Sequence, residues 1–281
     1  MMRFRPRRVL IPALGLALTA VAARAQTSGA APASPPDAIP RHDEFTIDSR
    51  ALAERRTINV YTPTAYAAGR GPSLPVLYMP DGGLAEDFPH VANTIDSLIG
   101  LGVIRPVIVV GIENTQRRRD LTGPTSVASD STIAPKVGGS AAFRRFVREE
   151  LMPAVRRRYR CSGETTIVGE SLAGLFVVET FLLAPTLFDR YIAFSPSVWW
   201  NGGALLRTAE GGASRKARAG RTLFLSAANE EQIADGTALL VVRLRTQSPR
   251  SLELVYEPRP DLEHSTIFRA VAPEAFARVL R

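Results

Sequence analysis

Ser171 stands in the segment 165–174, TTIVGESLAG, where a β-branched apolar run passes through Gly169 straight into a helical pattern. A serine at a sharp strand-to-helix turn is a nucleophile elbow. Its backbone is held so that the hydroxyl is exposed, and the residues two before and two after must be small to keep strand and helix from colliding. Gly169 and Ala173 meet that need. The same turn sets the Leu172 amide at a helix N-terminus beside the hydroxyl, where a free N–H and the helix dipole stabilise a developing oxyanion. The chemistry implied is acyl transfer through a serine nucleophile.

Such a serine needs a base, and the chain has three histidines: His42, His90 and His264. His42 closes a Pro- and Ala-rich lead-in and His90 precedes the serine, whereas on this type of turn the acid and then the histidine follow the nucleophile in the chain. His264 meets that order, in a loop just before a C-terminal helix. For the acid, Glu230 follows an apolar run at 222–226 and is the first choice. Glu231, Asp235, Asp261 and Glu263 stay open, as does a Ser–His dyad. A second oxyanion donor is expected after the run 75–79, where Pro80-Asp81-Gly82-Gly83 brings backbone close to a ligand, with the Gly83 N–H as candidate.

These residues need a scaffold that gathers the ends of different strands. Short apolar or alternating runs at 44–47, 57–61, 75–79, 107–112, 165–168, 191–194, 222–226 and 252–256 predict eight strands. Helical spacing predicts helices over 140–159, 172–183, 234–246 and 273–280. The alternation implies an α/β domain over 43–281, its sheet mostly parallel and covered by helices on both faces, entered by an antiparallel hairpin.

Composition narrows the field further. At 281 residues, 45% hydrophobic and 22% charged, disordered, collagenous and coiled-coil classes are excluded. A single cysteine, Cys161, excludes an intramolecular disulfide and a zinc site built on two or four cysteines. Glu86, Asp87 and His90 share a loop without the fixed spacing of a metal site, so neither metal nor cofactor is expected. The net charge of +8 is unevenly spread: Arg3, Arg5, Arg7, Arg8 and Arg24 fall within residues 1–25, which hold no acid, and the remainder carries 30 basic against 27 acidic residues. That basic stretch precedes an apolar run at 9–23 ending in Ala23-Arg24-Ala25, which predicts a signal peptide at 1–25 cleaved after Ala25. A periplasmic or secreted protein is expected, with no retained membrane anchor and no nucleic-acid partner. Residues 26–42, rich in Ala, Pro and Ser, predict a disordered linker.

Several segments resemble the putative-esterase branch of the α/β-hydrolases, which contains enterochelin-type siderophore esterases, S-formylglutathione hydrolase and mycolyl transferases. They are PVLYMPDGG, VGIENTQRRRDLTGP, GGSAAFRRFVREELMPAVRRRY, GESLAGLF and FSPSVWWN, which together span most of 44–281. The resemblance is strongest to periplasmic or secreted enterochelin-type esterases. It implies the α/β-hydrolase fold, ester hydrolysis, and functional positions at Ser171, His264 and the amides of Gly83 and Leu172. The acid position matches less clearly.

For the substrate, a small ester, Trp199 and Trp200 follow the strand at 191–194 and are expected to wall a pocket for an acyl or aryl group. Arg119, in the run Arg117–Arg119, is expected to attract an anionic substrate. Two alternatives share this scaffold: an acyltransferase that passes the acyl group to an alcohol or sugar, and an exported binding protein that has lost catalysis.

Overall fold

The computed structural model describes residues 37–66, 71–132, 136–208 and 216–281, and residues 37–281 form one compact unit. The expected leader at 1–25 and the expected linker as far as residue 36 lie outside the described residues. The linker's last residues, 37–42, run along the folded unit: Asp37 pairs with Arg269, and Asn93 Nδ2 donates to the Ala38 carbonyl.

From there the chain follows β1 (Asp43–Ser49), β2 (Glu54–Tyr61), β3 (Leu74–Met79), α1 (Phe88–Gly100), β4 (Ile108–Ile112), α2 (Arg117–Leu121) and α3 (Ala128–Thr132). A long helical stretch comes next, α4 (Ser140–Phe146), a π-helical turn (Val147–Leu151) and α5 (Met152–Arg158), leading to β5 (Cys161–Glu170) and α6 (Leu172–Leu183). Then come β6 (Arg190–Phe194), α7 (Trp200–Thr208), β7 (Thr222–Ala227), α8 (Glu231–Gln247), β8 (Glu253–Pro258) and α9 (His264–Val279).

The strands form one eight-stranded sheet in the order β1-β2-β4-β3-β5-β6-β7-β8. β1 pairs antiparallel with β2, and β2 antiparallel with β4; every other pairing is parallel. This is the α/β-hydrolase architecture, with the expected entry hairpin. Side chains along the central strands alternate between two cores. Val76, Tyr78, Val110, Ile167, Tyr191 and Leu223 face the core under α4, α5, α6 and α8, while Leu77, Met79, Val109, Val168, Ile192 and Phe224 face the core under α1 and α9. Covering both faces makes the central strands apolar at nearly every position, so they appear in the sequence as continuous short runs.

Among the described residues α1, α2, α3 and α7 are helices beyond the four expected, and α9 differs in where it begins. Glu86, Asp87 and His90 are expected to share a loop, but His90 lies in α1; Pro89 falls in the first turn of that helix, where its missing N–H costs nothing, and Phe88, Val91, Ala92, Ile95 and Leu98 are buried along one stripe. α9 begins at His264 rather than Pro273, and Pro273 lies inside it. A mid-helix proline sacrifices a backbone hydrogen bond. The helix persists because Ile267, Phe268, Val271, Ala272, Ala275, Phe276 and Val279 are all buried around that point.

At the antiparallel end of the sheet, Arg56 and Asp120 are both fully buried and pair at 2.5 Å, with Arg56 also held by Glu54, Thr115 and the Glu113 carbonyl. Truncating one member of a buried pair strands the other charge away from water. Asp120→Ala is therefore expected to lower unfolding stability by about 3 kcal/mol in urea titration. A loss below about 1 kcal/mol would show that Glu54 alone satisfies Arg56.

Candidate active site

All six parallel strands end at the same edge of the sheet, and the loops leaving them converge there. β5 delivers Glu170 and Ser171; β3 delivers Asp81–Asp87; β4 leads to Asn114 and Arg117; β7 leads to Glu230; β8 leads to His264.

Ser171 has φ 59° and ψ −118°, a left-handed conformation that costs a non-glycine residue about 1–3 kcal/mol. Three backbone bonds hold it there. Its N–H donates to the Phe194 carbonyl at 3.0 Å, and its own carbonyl accepts from Leu175 N at 2.9 Å and Ser197 N at 3.1 Å. A Cβ on Gly169 would lie 2.6 Å from the Ala173 carbonyl carbon and 2.7 Å from its Cβ, which is why the positions flanking the serine must be small. Leu172 opens α6, so its N–H is among the first amides of the helix, which have no partner within it.

His264 is the first residue of α9, not a loop residue. Glu263 before it forms a capping box with Thr266, and Glu230 Oε1 accepts the His264 backbone N–H at 2.7 Å. The imidazole Nδ1 is 3.8 Å from that same Oε1, beyond hydrogen-bonding distance. His264 Nδ1 and Glu230 Oε2 are both buried without a hydrogen-bond partner among the described residues. Nε2 lies 3.0 Å from Glu170 Oε1. No hydrogen bond to the Ser171 hydroxyl forms among the described residues. The structure thus brings Ser171, His264 and Glu230 to one edge and sets Glu170, next to the serine in the chain, against the imidazole.

Gly83, the other oxyanion candidate, follows a tightly clamped turn. Gly82 donates to the Ile112 carbonyl at 3.0 Å and accepts from Asn59 Nδ2 at 2.9 Å, and a Cβ there would fall 2.2 Å from Ile112 N. The Gly83 N–H is engaged: it donates to Glu86 Oε2 at 2.7 Å, while Asn114 Nδ2 donates to Glu86 Oε1 at 2.8 Å. A carboxylate oxygen of the chain itself therefore occupies this amide in the free protein.

The arginine run divides. Arg119 points to the far end of the network described above, bonded to Glu54 and Asp120, so its charge is committed to the fold. Arg117 reaches the site instead, gripping both oxygens of Asp81 at 2.7 Å each. Trp200 is buried, its indole N–H donating to the Gly123 carbonyl at 2.8 Å, and with Leu175 and Leu205 it lines a cleft of about 130 Å³. Trp199 is half-buried, its ring centroid 6.1 Å from that of Trp200.

Sequence reasoning missed Glu170, Asp81, Glu86 and Asp87 as members of this site. One signal was available: an acid at the end of a strand otherwise apolar and buried. Burial, with the charge of Asp87 adding to it, pushes the Glu170 carboxyl up to about 8 against the pull of Arg117. Burial and Asp81 likewise push Asp87 up to about 6. Burial lowers His264 below its ordinary 6.5, partly offset by Glu230. Groups of His, Cys, Asp and Glu suited to holding a metal ion do not occur among the described residues.

A sequence model of the family described as Putative esterase matches residues 49–249. The chain is 33% identical over 168 residues to the ferri-bacillibactin esterase BesA of Bacillus subtilis, covering 53% of this chain and 56% of that protein. It is 29% identical over 191 residues to a siderophore triacetylfusarinine C esterase of Aspergillus fumigatus, covering 62% of each. The matched region thus spans less than two thirds of the length of these relatives. Among solved structures it resembles an IroE-like serine hydrolase from Shewanella oneidensis, with TM-score 0.74 and 24% identity over 85% of this chain and 79% of the other. It also resembles the BES protein of Bacillus cereus, with TM-score 0.73 and 21% identity over 85% and 96% of the two chains.

Only a neutral imidazole can take a proton, and burial holds His264 neutral to lower pH than usual. The acid limb of any ester-hydrolysis rate governed by His264 is therefore expected below pH 6.5, as measured by kcat/KM against pH. A midpoint above that value would mean that the imidazole is exposed or paired with a carboxylate in the working state.

Proposed function

Because the chain belongs to the family described as Putative esterase, we propose that it hydrolyses carboxylic esters through an acyl-enzyme on Ser171, acting on siderophore-type or other small esters. The observation that carries this reading is the left-handed Ser171 at the β5–α6 turn, with the His264 imidazole against Glu170, the residue that precedes it. A serine strained in this way with no chemical task would be an unexplained cost.

In the reaction, His264 Nε2 removes the Ser171 proton as Oγ attacks the ester carbonyl. The oxyanion is held by the Leu172 and Gly83 amides, the substrate oxygen replacing the Glu86 carboxylate on Gly83. Each such donor contributes on the order of 10²–10³ in rate. The imidazolium then protonates the leaving alcohol, and a water activated by the same nitrogen releases the acid. Glu230 orients the ring: its free Oε2 and the free Nδ1 are both buried, and pairing would satisfy each. Leu175, one turn into α6 from Ser171, and Trp200 line an apolar cleft, which is the expected seat of the acyl or aryl part. No cofactor enters the scheme. The siderophore assignment is supported by the names of the relatives, and enterobactin and triacetylfusarinine C are the substrates to try first. Export belongs to the same reading and rests on the basic and apolar pattern of residues 1–25.

A fluorophosphonate probe is expected to label Ser171, and Ser171→Ala to lower p-nitrophenyl ester turnover by on the order of 10⁴-fold or more. Label on another residue would overturn the assignment. With added alcohol or sugar acceptors, free acid is expected as the product; esterified acceptor in excess would identify a transferase. N-terminal sequencing of exported protein should begin at Gln26, and material beginning at Met1 would refute cleavage.

A further inference from the structure

Glu170 has no task in the reaction just written, yet it lies against the nitrogen on which that reaction turns. It immediately precedes Ser171, at the end of β5, and places Oε1 3.0 Å from His264 Nε2. Its side chain is only 16% exposed. Oε1 makes no hydrogen bond among the described residues, so the 3.0 Å approach to Nε2 is a close contact that a proton on the carboxyl would turn into a bond. Arg117, the cation whose charge reaches it, is gripped by both oxygens of Asp81. Glu170 is thus not neutralised by an ion pair.

We propose that Glu170 is a positioning residue for the general base: its carboxyl engages His264 Nε2 in the free protein, fixes the Nδ1–H tautomer that catalysis requires, and yields Nε2 to Ser171 when an ester enters. The inference rests on the acyl-enzyme reading above.

The argument is one of donors and acceptors. A base must present a bare Nε2, and a bare nitrogen is stabilised only by a donor. The protonated carboxyl is such a donor; the ionised one is not. The groups facing Glu170 from the surrounding elements are Asp87 before α1, Asp81 after β3, Arg117 at the start of α2, Glu230 before α8 and His264 on α9. Three of these are acids, and with burial they keep the Glu170 proton on up to about pH 8. With Nε2 accepting, the ring proton resides on Nδ1 and faces Glu230 Oε1, 3.8 Å away. Above that pH the carboxylate demands a proton from Nε2 instead. The ring is then held as the wrong tautomer or as imidazolium, and the base is lost. The hydroxyl of Ser171 competes for the same nitrogen, so substrate contacts that press the serine toward His264 displace Glu170.

The test is the pH dependence of kcat and KM for p-nitrophenyl butyrate in the full chain, in wild type, Glu170→Gln, Glu170→Ala and Ser171→Ala, each checked for folding by thermal melting. In wild type kcat/KM is expected to fall above about pH 8. Glu170→Gln donates through its amide and cannot ionise, so its plateau should extend past about pH 9. Glu170→Ala should lower kcat about tenfold at neutral pH with KM within about twofold, the worth of one hydrogen bond, and Glu170→Gln should recover most of that loss. An alkaline limb unchanged in Glu170→Gln, or a wild-type kcat in Glu170→Ala, overturns the proposal. Ser171→Ala separates the two failures. If it is inactive while Glu170→Gln keeps the wild-type limb, only the role of Glu170 falls; if it retains turnover, the acyl-enzyme reading falls and this inference with it.

Discussion

The close approach of β5 to α6 at Gly169 and Ala173 is the constraint from which the rest of the site follows. A strand that must reverse into a helix within one residue forces Ser171 into a left-handed backbone. That conformation survives because the Phe194 carbonyl and the Leu175 and Ser197 amides fix it from three sides. α6 can bear this because it is buried along nearly its whole length, from Ala173 to Leu182. Its apolar burial, about 25 cal/mol per Å² of apolar surface removed from water, outweighs a local strain of about 1–3 kcal/mol. Gly174 continues the same logic, since a Cβ there would meet the Phe194 carbonyl oxygen at 2.9 Å and Pro196 Cα at 3.1 Å.

Around this turn the chain has placed many more acids than a triad needs. Asp81, Glu86, Asp87, Glu170 and Glu230 all lie at one sheet edge, with Arg117 bound to Asp81. Crowded and partly buried, these carboxyls cannot all ionise, so Glu170 and Asp87 keep their protons well above the ordinary carboxylate range. At neutral pH Glu170 therefore keeps its proton, while Asp87, at about 6, has largely lost its own. In the free protein two of its acids also occupy the atoms that catalysis would use: Glu86 on the Gly83 amide and Glu170 against His264 Nε2.

Much of this could be read from the residues. All eight strands are visible as short apolar or alternating runs because sheet burial on both faces leaves a direct mark on composition. The elbow is visible because its steric demand selects small residues at fixed offsets. What escaped notice had weaker local marks. α1 starts beside Pro89, whose cost depends on whether it falls in the first turn or later, and the residues alone do not fix that. The length of α9 was hidden by Pro273, whose cost is met by packing against β6 and β7. Within the arginine run the choice fell on Arg119, but adjacent side chains on a helix point in different directions, and only the neighbours decide which meets Asp81 and which meets Glu54 and Asp120.

Residue order alone determined which kinds of group are present, that Ser171 lies on a strand-to-helix turn and that His264 is the one histidine downstream of it, because these depend on spacing along the chain. Which atoms touch was decided by the fold. The His264 imidazole lies closer to Glu170 than to Glu230 because β5 and the N-terminus of α9 arrive at the same sheet edge from separate parts of the chain. The protonation of that pair is likewise tertiary: it follows from burial and from acids far apart in sequence, neither of which any local pattern of residues records.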